Sequence, residues 1–171
     1  YPGVVVIHEV FGLVTWVREV ARKIPDKGYI ALAPDLYHRE GPGDADDVAA
    51  IVRAAGGNPD ARTIGDVEGA MAHLRSLDYC TGKIGVIGYC SGGRQTYVVA
   101  CNIPSLDAAV DCYGGRVVAT VDELTPLQPV APLDMTANLA CPLLGLFGAD
   151  DANPAPDQVA RTEEELKRFG K

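Results

Sequence analysis

The segment KIGVIGYCSGG, residues 83–93, carries the strongest indication of how this chain folds. Lys83 to Ile87 is short, apolar and rich in β-branched side chains, as a buried strand requires, and Gln95 to Ala100 can continue as a helix. Between them lies a Gly-x-Cys-x-Gly turn centred on Cys90, a pattern that presents a nucleophile between a strand and a helix. The nucleophile lies at a sharp turn in a strained backbone conformation. A side chain at either flanking glycine position would collide with the neighbouring strand and helix. We therefore predict a nucleophile elbow with cysteine in the place usually taken by serine.

Two other interpretations of this turn remain open. A glycine-rich connection can be only a tight turn, or it can bind a phosphate. Neither GxxxxGK[ST] nor GxGxxG is present, which weakens the phosphate interpretation. A helix that begins after Cys90 would point its first N–H groups at the thiol, which favours thiolate and leaves a donor for an oxyanion.

The alternation of apolar runs predicts an α/β fold. We predict strands over residues 4–7, 29–33, 83–87, 108–112 and 143–147, and helices over 16–24, 46–54, 63–77, 95–100 and 157–169, the last with Asp157 as its N-cap. Strands that alternate with helices give a doubly wound, mainly parallel sheet with helices on both faces. Functional groups then collect at the carboxyl ends of the strands.

Length and composition restrict the class of protein. The 171 residues fit a single domain, residues 1–171, and 47% of them are hydrophobic, which argues against disorder. A net charge of −8 disfavours nucleic acid or an anionic membrane as partner. We find no apolar stretch of the ~20 residues that a transmembrane helix needs, and no signal peptide.

The cysteines and the chain ends add two expectations. Five cysteines without CxxC spacing indicate neither a disulfide framework nor a zinc site, so we expect no metal and a cytoplasmic location. The chain begins at Tyr1 without a methionine and ends at Lys171, just after a helix-like run. We expect it to be part of a longer protein.

Carboxylates follow the first and last predicted strands. Glu9 comes directly after the first strand, and Asp150 and Asp151 come after the last. An α/β-hydrolase keeps its triad acid after a late strand, in the chain order nucleophile, acid, histidine. Each of these carboxylates also has a structural interpretation. Glu9 can simply be a solvated residue at the end of a strand, and the two aspartates can be turn residues.

None of the three histidines is in the position that this order requires. His8, His38 and His73 all precede Cys90. Either the chain is not a triad enzyme or its histidine lies beyond Lys171. His8 should point away from Glu9 and pack or form hydrogen bonds, because neighbouring residues of a strand face opposite sides.

Four segments in order resemble signatures of the dienelactone hydrolase (carboxymethylenebutenolidase) family of the α/β-hydrolase superfamily. They are His8-Glu9-Val10-Phe11-Gly12-Leu13, Ala33-Pro34-Asp35-Leu36-Tyr37, Gly88-Tyr89-Cys90-Ser91-Gly92-Gly93 and Gly148-Ala149-Asp150-Asp151-Ala152-Asn153-Pro154. The resemblance covers almost the entire chain. It implies an α/β-hydrolase fold and cleavage of a small lactone or carboxylic ester without a cofactor.

The resemblance also implies roles for individual residues. Cys90 would be the nucleophile and Glu9 the group that helps to deprotonate it. Asp151 would be the triad acid, because the family's aspartate stands three residues before the proline of this loop. The backbone N–H groups of Ser91 and Val10 would form the oxyanion hole. The family's histidine follows one more strand, which this sequence does not contain.

Substrate contacts are harder to predict. Family members that open dienelactone hold its carboxylate with arginines, for which Arg53 and Arg62 are candidates, whereas Arg94 and Arg116 are equally plausible as surface charges. Tyr37 and Tyr89 are candidates for the pocket wall, although such aromatics more often belong to the core. We expect a small-molecule substrate and a monomer or small homo-oligomer.

Two alternatives to a lactone hydrolase remain. One is another cysteine-elbow enzyme, of an amidotransferase-like or glyoxalase type, because those also pair an elbow cysteine with a glutamate at a strand end. The other is a non-catalytic binding relative that retains the scaffold. The segment Ala33-Pro34-Asp35 and the aspartate loop after the last strand favour the hydrolase.

Overall fold

A parallel five-stranded sheet forms the centre of the computed structural model, which describes residues 1–171. The strands lie in the order β2-β1-β3-β4-β5, and all neighbours are parallel. Their bounds are β1 (Gly3–Ile7), β2 (Ile30–Leu32), β3 (Ile84–Tyr89), β4 (Ala108–Cys112) and β5 (Leu143–Leu146). The predicted parallel sheet is confirmed, and each predicted strand agrees with an observed one to within two residues at either end.

Five α-helices connect or follow these strands. They are α1 (Thr15–Lys23), α2 (Ala45–Ala54), α3 (Asp60–Arg75), α4 (Ser91–Asn102) and α5 (Pro156–Arg168). Short 3-10 turns cover Pro25–Lys27, Val121–Glu123 and Pro132–Asn138. The longest helix, α3, has 16 residues, and none of the five has both the length and the apolar character needed to cross a bilayer.

The start of α5 differs from the prediction. Its N-cap is Ala155 rather than Asp157, and Pro156 occupies the first helical position. The side chain of Gln158 accepts a hydrogen bond from the Ala155 N–H at 3.1 Å. Proline at the first position has no N–H to satisfy, and the helix begins two residues earlier than the Asp157 cap would place it.

Helices pack on both faces of the sheet, as predicted. On one face, alternate strand residues such as Val5, Val86 and Ala109 join one buried apolar cluster with residues of α3 and α4. On the other face, Tyr89 meets Trp16 of α1 edge to face, with ring centroids 5.0 Å apart.

The carboxyl ends of the strands share one edge of the sheet, because all of the strands are parallel. Since β3 lies between β1 and β4, the residues that follow β3 are flanked by the loops after β1 and β4. The loop after β5 comes next along the same edge. The topology therefore brings together the loops that contain Glu9, Cys90 and Asp151.

Candidate active site

Cys90 occupies a strained turn between β3 and α4. Its backbone has φ 54° and ψ −118°, and its N–H donates a hydrogen bond to the Cys112 carbonyl at 3.0 Å. A Cβ on Gly88 would overlap the Gly92 carbonyl, and one on Gly92 would lie 2.5 Å from the His8 carbonyl oxygen. Only glycine fits at either position, which is the steric reason given for the predicted elbow.

The surroundings of the Cys90 thiol favour its protonated form. Partial burial of the thiol is the largest influence and raises its pKa, and the negative charges of Glu9 and Asp151 raise it further. A hydrogen bond from the Ser91 backbone N–H acts in the opposite direction. The net effect is a raised pKa, so the resting cysteine is a thiol, and forming its thiolate requires a base.

Glu9 and Asp151 are the two carboxylates whose charges act on Cys90. Glu9 is half-buried after β1 and forms no ion pair. Asp151 is also half-buried, and its Oδ1 accepts a hydrogen bond from the Asn153 N–H at 3.0 Å. Asp150 is exposed, and it is not one of the charged residues that raise the thiol pKa. The structure thus brings Cys90, Glu9 and Asp151 together.

Two backbone donors lie beside Cys90. The N–H groups of Val10 and Ser91 make no hydrogen bond to a backbone carbonyl, and both residues line the same cavity as Cys90. Ser91 is the first residue of α4, where helix N–H groups have no partner within the helix. A substrate oxygen above the thiol would meet the Val10 N–H and the Ser91 N–H, which points towards the thiol.

The cavity at Cys90 has a volume of about 580 Å³. Of the four side chains predicted to contact substrate, Arg53 and Tyr37 line it. Arg62 does not, because it is held by Glu40 at 2.6 Å and donates to Asn58 Oδ1 at 3.3 Å. Tyr89 does not either, because its ring packs on Trp16 on the α1 face of the sheet.

Three buried polar residues of the cavity were not predicted. Arg94, Gln95 and Gln128 line it with exposures of 4%, 4% and 5%. Arg94 is not the surface charge that its sequence suggested, because both of its terminal nitrogens bind Asp60, at 2.6 and 3.1 Å. One signal was available: α4 has no charged residue other than Arg94, and a helix without a polar face is usually buried.

The histidines are engaged elsewhere. His8 Nδ1 donates to the Glu9 carbonyl at 2.8 Å, and Nε2 accepts from the Leu36 N–H at 3.0 Å, so this buried side chain forms hydrogen bonds as predicted. Burial lowers the pKa of His8, consistent with a neutral ring. His38 and His73 are exposed, and none of the three lines the cavity.

No group of three or more His, Cys, Asp or Glu side chains is placed to hold a metal ion.

A parallel sheet that presents its nucleophile at such a turn is the architecture of the α/β-hydrolases. A solved structure supports this assignment: the crystal structure of a "Putative Dienelactone Hydrolase" from Klebsiella pneumoniae superposes with a TM-score of 0.87 at 30% sequence identity, covering 99% of this chain and 70% of that one. Within this class the chain belongs to the dienelactone hydrolase family, whose profile matches residues 1–171.

Two further relatives carry the same family's enzyme name. A "Putative carboxymethylenebutenolidase" of Methylorubrum extorquens is 32% identical over 174 residues, covering 100% of this chain and 58% of the relative. The "Carboxymethylenebutenolidase" of Pseudomonas putida is 30% identical over 175 residues, covering 95% of this chain and 66% of the relative. The chain therefore spans less than two thirds of the length of these curated relatives.

Proposed function

We propose that this chain carries the nucleophile, the oxyanion donors and the triad acid of an enzyme that cleaves a small lactone or carboxylic ester through Cys90. The observation that carries the proposal is Cys90 at its positive-φ turn, hydrogen-bonded by Ser91 N–H and acted on by Glu9 and Asp151. Membership of the dienelactone hydrolase family supports the same reaction class.

The first half of the reaction begins with activation of the thiol. Glu9 has no ion-pair partner, so it is free to accept the thiol proton when a bound substrate excludes water from the cavity. The thiolate attacks the lactone carbonyl carbon, and the resulting oxyanion is stabilised by the N–H groups of Ser91 and Val10. Collapse of this intermediate breaks the C–O bond of the ring and leaves a thioester on Cys90, with an alkoxide or enolate as leaving group.

The second half is hydrolysis of the thioester. A water molecule attacks the acyl carbon, its proton passes to a general base, and the Cys90 thiolate leaves. By the family resemblance this base is a histidine beyond Lys171, oriented by Asp151. The positions of His8, His38 and His73 support this, since none of them lines the cavity. The proposed chemistry uses no metal or organic cofactor.

The charge distribution supports a small anionic or neutral substrate. Arg53 lines the cavity and is exposed, so we place it as the residue that meets a substrate carboxylate, with Tyr37 beside it. A net charge of −8 disfavours nucleic acid and anionic membranes as partners. We infer a cytoplasmic enzyme that acts as a monomer or a small homo-oligomer.

The decisive test removes the nucleophile. We expect the full-length protein to hydrolyse p-nitrophenyl acetate or dienelactone, and Cys90→Ala to lose at least about a thousandfold in kcat. Cys80→Ala is the matched control, because Cys80 is a half-buried cysteine that precedes β3, whereas Cys90 follows it, and the variant should stay within about twofold of wild type. Undiminished turnover by Cys90→Ala would overturn the mechanism.

A further inference from the structure

One wall of the Cys90 cavity contains buried polar atoms without partners. Arg94 Nε, Gln95 Oε1, Gln128 Oε1 and the Ser91 hydroxyl are buried and form no hydrogen bond, and all four residues line the cavity. Buried polar groups in folded proteins are nearly always hydrogen-bonded. Ser91 belongs to the elbow itself, and the unpaired atoms of the other three residues indicate a ligand group that supplies the missing partners.

The fold fixes two of these three side chains, Arg94 and Gln128, without any ligand. Arg94 uses Nη1 and Nη2 to bind Asp60, which leaves Nε as its free donor and neutralises its charge. Gln128 Nε2 donates to the Asn58 carbonyl at 3.1 Å, so the amide cannot turn over and Oε1 remains the free acceptor. The wall thus presents one fixed donor, Arg94 Nε, and one fixed acceptor, Gln128 Oε1, with no uncompensated positive charge. The Gln95 amide forms no side-chain hydrogen bond and can present either its oxygen or its nitrogen.

This set of atoms selects among possible ligand groups. A carboxylate only accepts hydrogen bonds and would face the fixed oxygen of Gln128. An alkyl group would leave all three atoms unpaired. A hydroxyl group both donates and accepts, so it can donate to Gln95 or Gln128 and accept from Arg94 Nε.

We propose that Arg94, Gln95 and Gln128 form a subsite for a substrate hydroxyl group, so that the enzyme prefers hydroxylated lactones or esters. The proposal rests on the proposed function, because it concerns the substrate that Cys90 attacks. It is distinct from the placement of a carboxylate at Arg53, which lies on the exposed part of the cavity lining.

The test compares γ-butyrolactone with α-hydroxy- and β-hydroxy-γ-butyrolactone as substrates. The full-length protein should show a kcat/KM at least about tenfold higher for the better hydroxylated lactone than for γ-butyrolactone. Gln95→Leu and Gln128→Leu should each bring this ratio towards one while retaining hydrolysis of γ-butyrolactone. Gln158→Leu, the same substitution in α5, should keep the wild-type ratio.

A second measurement is independent of turnover. The same lactones are used to protect Cys90 from iodoacetamide, and the alkylated fraction is followed by mass spectrometry. Hydroxylated lactones should protect wild type at lower concentration than γ-butyrolactone, and this difference should disappear in Gln95→Leu and Gln128→Leu. Because both measurements compare two ligands in one protein, a general loss of stability does not imitate the result.

Several results would overturn the subsite. The first is equal kcat/KM and equal protection for hydroxylated and unsubstituted lactones. The second is a kcat/KM ratio of hydroxylated lactone to γ-butyrolactone that both glutamine variants leave unchanged. The third is a stronger preference for the carboxylated lactone 5-oxotetrahydrofuran-2-carboxylate that both variants retain. Failure of the proposed function has a different signature, namely undiminished hydrolysis by Cys90→Ala, and the protection experiment still tests the subsite in that case.

Discussion

We expect the Glu9 carboxylate to act on Cys90 in opposite directions before and after substrate binds. In the free protein its negative charge raises the thiol pKa, so Glu9→Gln should lower that pKa and speed alkylation by iodoacetamide a few-fold at pH 8. With a substrate analogue bound, the same variant lacks the proton acceptor and should show less thiolate than wild type, measured by the ultraviolet absorbance of the thiolate. The kcat/KM of the variant should fall about a hundredfold.

The matched control for this prediction is Asp150→Asn. It removes one negative charge from the same edge of the sheet, but from a residue that does not influence the thiol pKa. Alkylation of the free Asp150→Asn protein should equal that of wild type. Slower alkylation of free Glu9→Gln would contradict the electrostatic role assigned to Glu9.

Asp111, in β4, gives a pH-dependent contribution to stability. Burial raises the pKa of its carboxyl from 3.8 to about 6, although the Gly114 N–H donates a hydrogen bond to Oδ1 at 2.8 Å. Between these two pKa values the folded protein holds a proton that the unfolded chain has lost. The contribution of Asp111 to the free energy of unfolding therefore falls as pH rises from about 4 to 6, by on the order of 3 kcal/mol.

Comparison with Asp111→Asn isolates this contribution. The variant keeps a side-chain oxygen for Gly114 but does not titrate, so its free energy of unfolding relative to wild type should increase between pH 4 and pH 7. Urea unfolding at several pH values measures this difference. A difference that stays constant over the range would show that Asp111 is not protonated in the folded protein near pH 5.

At the scale of secondary structure, two glycines in different elements should respond oppositely to alanine. In β3, Gly88→Ala places a Cβ against the Gly92 carbonyl and should cost several kcal/mol of unfolding free energy, about 3 or more. In α3, nothing lies within 4 Å of a Cβ on Gly65, and Gly65→Ala should stabilise the protein by about 0.5–1 kcal/mol. Thermal or urea unfolding of both variants checks the pair.

The strands were predictable because their apolar, β-branched runs are local signals that later packing did not change. Helix boundaries were less predictable: α3 begins at Asp60 rather than Thr63, and α5 is capped at Ala155 rather than Asp157. In both cases a proline marks the start of the helix: Pro59 comes just before α3, and Pro156 is the first residue of α5. Tertiary contacts also contribute at α3. Asp60, for example, receives the buried Arg94.

The polar wall of the cavity could not be predicted because it depends on contacts between distant parts of the chain. Gln128 binds the carbonyl of Asn58, 70 residues earlier, and Thr125 binds that of Gly56. No local pattern encodes such a pairing. Cys90, Glu9 and Asp151 were easier to place, because each directly follows or closely follows a recognisable strand whose carboxyl end lies at a known edge of a parallel sheet.

At the scale of the whole 171-residue chain, its net charge of −8 should affect the capture of anionic substrates. Long-range repulsion is screened by salt, so kcat/KM for dienelactone, a carboxylate, should rise a few-fold between about 10 and 150 mM ionic strength. Neutral p-nitrophenyl acetate provides the control and should change little. A fall in kcat/KM for dienelactone over this range would instead indicate that local attraction by Arg53 dominates.

The steric restrictions at the elbow have a consequence for how such enzymes diversify. Gly88 and Gly92 constrain the backbone of residue 90 but do not require its side-chain atom to be sulfur. Serine has nearly the same size as cysteine. Cysteine and serine codons can differ by one base, so a single mutation can exchange the two residues at position 90. With Cys90 as the proposed nucleophile, that exchange would replace the thioester intermediate by an oxygen ester without unfolding the protein.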